Sequence, residues 1–153
     1  MKIMEWPYLL IFALIAMSMP MWEVSKYATS ADSWLIVTDV KIHDSKVGKT
    51  PKMEVDRTIV DNFTGEWIAE VEKYNKLTKE FSVVCTGYGK NDYTTKDKLP
   101  SGNKLNLDWW TYPTKYTPTI AGSYRVKTKW VIKPLNYPKK EVRNTSNVFK
   151  VTE

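Results

Sequence analysis

The sequence predicts an all-β domain of seven or eight short strands, preceded by one hydrophobic helix at the N-terminus. The clearest strand is residues 120–132, where apolar residues alternate with Arg125, Lys127 and Lys129. A period of two is typical of a strand with one buried face and one solvent-facing face. Clusters of Gly, Pro, Asn and Asp separate the other apolar runs, and no segment after Lys26 has a helical period. This pattern favours two packed β-sheets.

The N-terminal stretch of residues 6–22 is apolar and contains no charged residue. As a transmembrane helix it is near the minimum length for a bilayer, with Trp6, Tyr8 and Trp22 placed for the two interfaces. As a signal peptide it is followed by the small residues 28–30, which offer a cleavage site before residue 31. A buried core helix is disfavoured because the stretch has no polar face.

The predicted organisation is therefore an anchor or signal segment at 1–26, a linker at 27–33 and a β domain at 34–153. Either reading of the apolar stretch takes the β domain out of the cytoplasm, to the periplasmic side. The domain is expected to stay anchored to the membrane through residues 6–22. The alternative is secretion after cleavage.

The remaining strands are predicted from shorter alternating runs, at 34–43, 52–60, 66–74, 81–85, 105–109 and 148–151. Polar segments rich in turn residues are predicted as connections, at 44–51, 75–79, 87–102 and 134–144. Trp67 falls on the third predicted strand, where immunoglobulin-like folds place their core tryptophan, and this resemblance implies that Val55, Trp67 and Val126 meet in the core. Alternation along the strand at 81–85 predicts that Cys85 shares a buried face with Phe81 and Val83.

The entry to the 120–132 strand reads Gly122-x-Tyr124-x-Val126 and resembles the entry to strand F of immunoglobulin-like sandwiches. In those domains a Tyr near the strand start bonds its hydroxyl to the backbone a few residues upstream, which forms the tyrosine corner. Here the acceptor is expected within residues 117–120. We therefore predict an immunoglobulin-like β-sandwich, without a disulfide because Val126 stands where antibody domains have Cys.

A longer set of residues resembles a family of small bacteriophage and prophage proteins that have one N-terminal hydrophobic segment and an immunoglobulin-like β domain. The resemblance covers residues 47–151 and rests on PxMxVDRxI at 51–59, Phe63, Trp67, Cys85, NDY at 91–93, LP at 99–100, LxLDWW at 105–110, GxYRVxTxW at 122–130 and SNxFxV at 146–151. It implies a phage origin and a membrane or exported location, and it implies no activity.

Composition argues against several classes of chemistry. One cysteine, Cys85, and one histidine, His43, cannot build a His/Cys zinc cluster or an internal disulfide. No motif places these two residues together, and no phosphate-binding glycine loop or carboxylate pair is evident. We therefore expect a protein that is not an enzyme, with no catalytic residue, cofactor or metal.

The formal net charge of +6 belongs entirely to the chain beyond residue 30. Such a charge is compatible with anionic partners, among them lipid head groups and acidic glycans. Because acidic residues are interspersed, ordinary solubility is the favoured explanation of the charge, and no specific nucleic-acid partner is expected.

Two features are candidates for a ligand or partner patch. Arg57 points to the same side as the buried positions of its strand, where a guanidinium needs a carboxylate; Asp108 or Glu66 is expected to pair with it, and anion binding is the alternative. Exposed aromatic side chains can stack on sugar rings or on a partner protein unless loops bury them. The predicted aromatic platform consists of Trp110, Tyr112 and Tyr116, joined by Tyr88 and Tyr93.

The function expected from these features is a membrane-anchored or exported binding module, phage-encoded and acting at the host envelope on an unknown protein or glycan. The alternative is a carbohydrate-binding or virion-surface adhesion module that uses the aromatic patch.

Overall fold

The computed structural model describes residues 11, 14, 21–96 and 117–153, together with the backbone of 104–107. The chain is mostly β, as the sequence predicts. Residues 21–28 are helical, and Ala31–Ser33 form a 3₁₀ turn. The described residues form nine strands: β1 (Leu35–Ile42), β2 (Ser45–Lys46), β3 (Met53–Ile59), β4 (Phe63–Asn75), β5 (Glu80–Tyr93), β6 (Lys104–Leu107), β7 (Gly122–Lys133), β8 (Lys140–Thr145) and β9 (Phe149–Thr152).

The strands form two sheets. The smaller sheet has the order β1-β3-β6, and both of its pairs are antiparallel. The larger sheet has the order β2-β9-β7-β4-β5, in which β2 runs parallel to β9 and the other pairs are antiparallel. Strand β8 also pairs with β7, so β8 and β9 lie end to end along one edge of it.

The break between β8 and β9 is stabilised by Ser146 and Asn147. The Ser146 amide donates to the Val126 carbonyl at 2.8 Å, and the Ser146 hydroxyl accepts from the Val126 amide at 2.9 Å. The Asn147 side chain bonds both backbone groups of Ile42 in the smaller sheet, at 2.8 and 2.9 Å. These bonds satisfy backbone groups that an interrupted strand would leave unpaired, and they connect the two sheets.

The strand predicted most clearly, β7, has the predicted alternation. Five side chains on one face are buried, namely Tyr124, Val126, Thr128, Trp130 and Ile132. All except Thr128 join one hydrophobic core with residues of the smaller sheet, among them Leu35, Ile42 and Val55. The core is therefore shared by the inner faces of both sheets.

The predicted bond of the Tyr124 hydroxyl is confirmed. It donates to the carbonyl of Ile120 at 2.7 Å, while the Tyr124 ring is buried with 1% of its surface exposed. Gly122 lies between them with a φ of +156°. Residues with a Cβ rarely adopt this conformation, so glycine is required at this turn into β7.

Trp67 is less buried than predicted. Val55 and Val126 lie in the core, but Trp67 is half-buried and packs against it from the side. Its indole lies on Gly89 of the neighbouring strand, where an added Cβ would come within 2.5 Å of the ring. Trp130, opposite Trp67 on β7, is the more deeply buried tryptophan, with 6% exposed.

The predicted shared face of Cys85, Phe81 and Val83 is wrong. Val71 pairs with Cys85 while the next residue of β4, Glu72, pairs with Val83, so β5 contains a bulge at Val84. An extra residue reverses the alternation beyond it. Cys85 therefore packs against the core, whereas Val83 is 51% exposed on the outer face.

Two predicted connections contain strand residues. Strand β5 continues to Tyr93, into the segment predicted as a loop at 87–102, and β8 begins at Lys140 inside the predicted loop 134–144. Both are edge segments with polar, partly exposed side chains. Such strands lack the hydrophobic alternation on which the predictions depend.

The two ends of the domain differ in what they carry. The near end is where β4 begins and β7 ends, and there Lys140 Nζ donates to the carbonyl of Tyr27 at 2.7 Å. The far end is where β4 and β9 end and β7 begins. A 13-residue strand such as β4 separates the two ends by about 40 Å.

The predicted anchor at residues 6–22 lies largely outside the described residues. Within the described residues, no helix is both long enough and apolar enough to cross a membrane. Residues 21–28 expose several large apolar side chains, including Trp22 at 66% and Tyr27 at 70%.

Candidate functional site

The predicted aromatic patch is not assembled by its described members. Tyr88 is 66% exposed on the outer face of β5, whereas Tyr93 is buried with 4% exposed and stacks on Phe63 at 4.7 Å between ring centroids. A separation of five residues places the two rings on opposite faces of a strand. The other predicted members, Trp110, Tyr112 and Tyr116, lie outside the described residues.

Arg57 points inward as predicted, but Glu66 is not its partner. Glu66 pairs with Lys133 instead. The Arg57 guanidinium lies 5.1 Å from the centroid of the Tyr93 ring, in a cation–π contact. Burial raises the pKa of the Tyr93 phenol, and the positive charge of Arg57 only partly opposes that rise. The other predicted partner, Asp108, lies outside the described residues.

His43 and Cys85, the two residues considered for nucleophilic chemistry, lie in different parts of the domain. His43 Nε2 is 2.7 Å from Glu54 Oε1 on the smaller sheet, and Cys85 lies on β5 of the larger one. Among the described residues, no group of three His, Cys, Asp or Glu side chains is placed to hold a metal ion.

The outer face of the larger sheet is a lattice of ion pairs. Glu72 is buried with 4% exposed; its two oxygens accept from Arg125 Nε at 2.6 Å and from Lys127 Nζ at 2.8 Å. Burial alone would raise the pKa of Glu72, but these two bonds outweigh it, so the pKa lies below the ordinary glutamate value. Glu141 pairs in the same way with Lys129 and Arg143. The cations of this face are therefore largely neutralised.

The far end carries a different arrangement, a hollow formed where β4, β5, β7 and β9 terminate. We call it the lysine hollow. Its charged lining residues are Lys73 of β4, Lys76 of the following turn and Lys150 of β9. Ser82, Ser123 and Thr152 add hydroxyl groups, and the described lining includes neither Asp nor Glu.

Lys73 lies beside Gly122 and Tyr124 at the start of β7. A Cβ on Gly122 would lie 3.2 Å from Lys73 Cε, so the absence of a side chain there leaves room for the lysine stem. The Lys73 ammonium lies 5.8 Å from the centroid of the Tyr124 ring. Lys73 is thus packed against the tyrosine corner and also lines the hollow.

The other two lysines enter from separate elements. Lys76 follows Asn75, whose side chain accepts from the amide of Leu77 at 2.9 Å and so shapes the turn. Lys150 lies opposite Ser123, and its backbone amide donates to Asp44 at 2.7 Å. Within the described part of the chain, none of the three ammonium groups is in an ion pair with a carboxylate.

The connections at the far end are also more positively charged than those at the near end. At the far end, residues 43–52, 76–79, 117–121 and 153 contain five lysines and two acidic residues. At the near end, residues 21–34, 60–62, 94–96 and 134–139 contain three lysines and three acidic residues. The connections at the far end therefore carry an excess of positive charge, whereas those at the near end are balanced.

Comparison of the chain with family models, with curated proteins and with solved structures found no match.

Proposed function

We propose that the β domain is an immunoglobulin-like sandwich. The strand orders β1-β3-β6 and β9-β7-β4-β5 correspond to the A-B-E and G-F-C-C′ orders of that fold. Support also comes from the Tyr124 bond at the start of β7, the counterpart of strand F, and from Trp67 on β4, the counterpart of strand C. In this assignment β7 and β4 are the central strands of the larger sheet.

We further propose that the chain is a non-enzymatic binding module, held at a membrane by residues 6–22, with its β domain on the periplasmic side. The observation that carries this proposal is the polarity of the domain. The helical residues 21–28 adjoin the near end, while the lysine-rich connections and the lysine hollow lie at the far end. The module therefore presents a basic surface away from its attachment, toward an anionic partner.

The attachment is supported by the side chains that precede the domain. Ile11 and Leu14 are 53% and 63% exposed, and the helical residues Trp22 and Tyr27 are exposed as well. Exposed apolar residues of this size are typical of surfaces that meet a membrane or another protein. The proposed phage origin and action at the host envelope rest on the family resemblance alone.

The alternative proposal is a carbohydrate-binding or adhesion module, for which the specific observation is the exposure of Tyr88 on the outer face of β5. An exposed tyrosine ring is suited to stacking on a sugar. No other tyrosine or tryptophan among the described residues is shown beside it on that face, so the far end is the better supported surface.

Fractionation of cells that express the full chain tests the attachment. We expect the uncleaved chain in the inner membrane, with its C-terminus open to protease in spheroplasts. Leu14→Arg should release it, because an arginine at the centre of a spanning helix costs about 3 kcal/mol; Leu14→Ile is the matched control. Recovery of the wild-type chain in the cytosol would contradict the proposal. Recovery of a cleaved chain in the periplasm would support secretion instead.

A further inference from the structure

We propose that the lysine hollow is a binding site for a phosphate monoester group carried by the anionic partner. This inference rests on the proposed function, because it assigns a ligand class to the far end. It concerns Lys73, Lys76 and Lys150, together with the hydroxyl groups of Ser82, Ser123 and Thr152.

The charge of the lining supports this assignment. Three lysines from three elements line one hollow, and no described carboxylate lines it with them. Positive charges brought to one hollow repel one another, and a bound anion removes that repulsion. The outer face of the same sheet shows the contrast, since there Glu72 and Glu141 each neutralise two cations.

The hydrogen-bond donors of the hollow match the acceptor oxygens of a phosphate group better than those of a carboxylate. A phosphate monoester carries a charge of about −1.5 to −2 at pH 7 and three strong acceptor oxygens. A carboxylate carries a single charge and two oxygens, so it would leave most of the positive charge uncompensated. The hollow has no arginine among its described lining residues, and so it lacks the planar fork that pairs with carboxylates. Lysine and hydroxyl donors suit a tetrahedral oxyanion.

The third argument is preorganisation. Lys73 is packed over Tyr124 and across Gly122, so its ammonium does not have to be ordered when a ligand binds. The hydroxyl of Ser123 and the ammonium of Lys150 belong to directly paired residues of β7 and β9. The site is therefore built on strands whose positions are fixed by the core.

The test is calorimetric titration of the full chain in neutral detergent with glucose 6-phosphate, with glucuronate as the carboxylate probe and glucose as the uncharged control. We expect binding of glucose 6-phosphate alone. The triple variant Lys73→Gln/Lys76→Gln/Lys150→Gln should weaken it by at least about tenfold, since hydrogen bonds to charged groups are the stronger class.

The matched control is Lys46→Gln/Lys49→Gln/Lys52→Gln, which removes the same charge from the same end but outside the hollow lining. It should change the affinity by less than about threefold, a long-range effect that salt screens. Equal losses in the two variants would overturn the site in favour of diffuse attraction. Equal binding of glucuronate, or no binding of glucose 6-phosphate together with none in the vesicle assay below, would overturn the assignment to phosphate.

Two further measurements complete the test. Amide chemical shifts of Gly122 and Ser123 should move on titration, and their constancy would place any binding elsewhere and overturn the site. Sedimentation with phosphatidylcholine vesicles that contain phosphatidic acid distinguishes the source of the phosphate. Binding that increases with phosphatidic acid over phosphatidylcholine alone, without binding of the sugar phosphate, supports a lipid headgroup, and the reverse supports a phosphorylated soluble group.

Failure of this inference is separable from failure of the proposed function. The titration uses the chain in detergent and does not depend on where the chain resides in a cell. If the chain is found in the membrane but does not bind phosphate, the proposed attachment stands and only the assigned ligand class is wrong.

Discussion

Replacing Tyr124 by Phe removes one hydroxyl and leaves the rest of a buried ring in place. The hydroxyl donates to the Ile120 carbonyl at 2.7 Å, and the ring, with 1% exposed, stacks against Phe149 at 5.8 Å. A net hydrogen bond contributes about 0.5–1.5 kcal/mol, and a buried acceptor that loses its partner adds about 1–3 kcal/mol.

The carbonyl that loses its partner decides where in this range the loss falls. Ile120 is 60% exposed, so water can replace part of the lost bond at its carbonyl. We therefore expect Tyr124→Phe to lower the free energy of unfolding by about 1–1.5 kcal/mol, near the value for the hydrogen bond alone. The ring stacking should be unaffected.

Equilibrium urea unfolding measures this difference, and Tyr137→Phe is the matched control. Tyr137 is 40% exposed, and the phenyl ring left by the substitution keeps its edge contact with Trp34 at 5.0 Å. The control should be within about 0.5 kcal/mol of wild type, as surface substitutions usually are. Equal losses in the two variants would refute the structural role of the corner. A change of slope with urea would mean that the unfolding is not a simple two-state process.

Three further predictions concern the core, the outer face and the thiol. Trp130→Ala should lower the free energy of unfolding by about 3–5 kcal/mol and Trp67→Ala by less, as measured by urea unfolding, because only Trp130 is deeply buried; the opposite order would contradict the assigned core. Glu72→Gln should cost about 1–2 kcal/mol at pH 7, since its cationic partners are partly exposed. The Glu72 pKa is lowered by folding, so this contribution is fully present above the ordinary glutamate pKa and is lost as the pH falls from there through the lower pKa of the folded state. Thermal melts should show the difference between wild type and Glu72→Gln shrinking in that range, and a constant difference would contradict the charge pairing. Cys85 should react with a thiol reagent more slowly in the folded chain than in urea, and equal rates would contradict its packing against the core.

The parts of the fold that could be predicted from sequence are strands with regular alternation, because there the face of one residue fixes the face of the next. Strand β7 has twelve residues, its buried side chains alternate from Tyr124 to Ile132, and it is paired on both sides, so its face and its corner follow from the pattern. Strand β5 differs, because one extra residue at Val84 reverses the faces and no residue type announces a bulge. Alternation also predicts which face of the sheet a side chain points to, but not how deeply that side chain is buried. Trp67 points inward as predicted, yet its position beside Gly89 leaves it half-exposed.

The candidate site depends on contacts that sequence order does not contain. The inward direction of Arg57 was predictable, but its contact with the Tyr93 ring depends on how the two sheets pack. In the lysine hollow, Lys73 and Lys76 meet Lys150, which is more than 70 residues later in the sequence. The register of β9 on β7 brings Lys150 to them. The aromatic residues chosen from sequence drew attention to a different region, because aromatic clusters are conspicuous and scattered lysines are not.

Acetylation footprinting of the membrane-held chain, with and without host envelope fragments and read by mass spectrometry, tests most directly whether the far end is the binding surface. The near-end residues Lys139 and Lys140 serve as an internal reference in the same sample. We expect envelope fragments to protect Lys73, Lys76 and Lys150, while the reference lysines react as before. Protection confined to the near end, or equal reactivity at both ends in every sample, would contradict it.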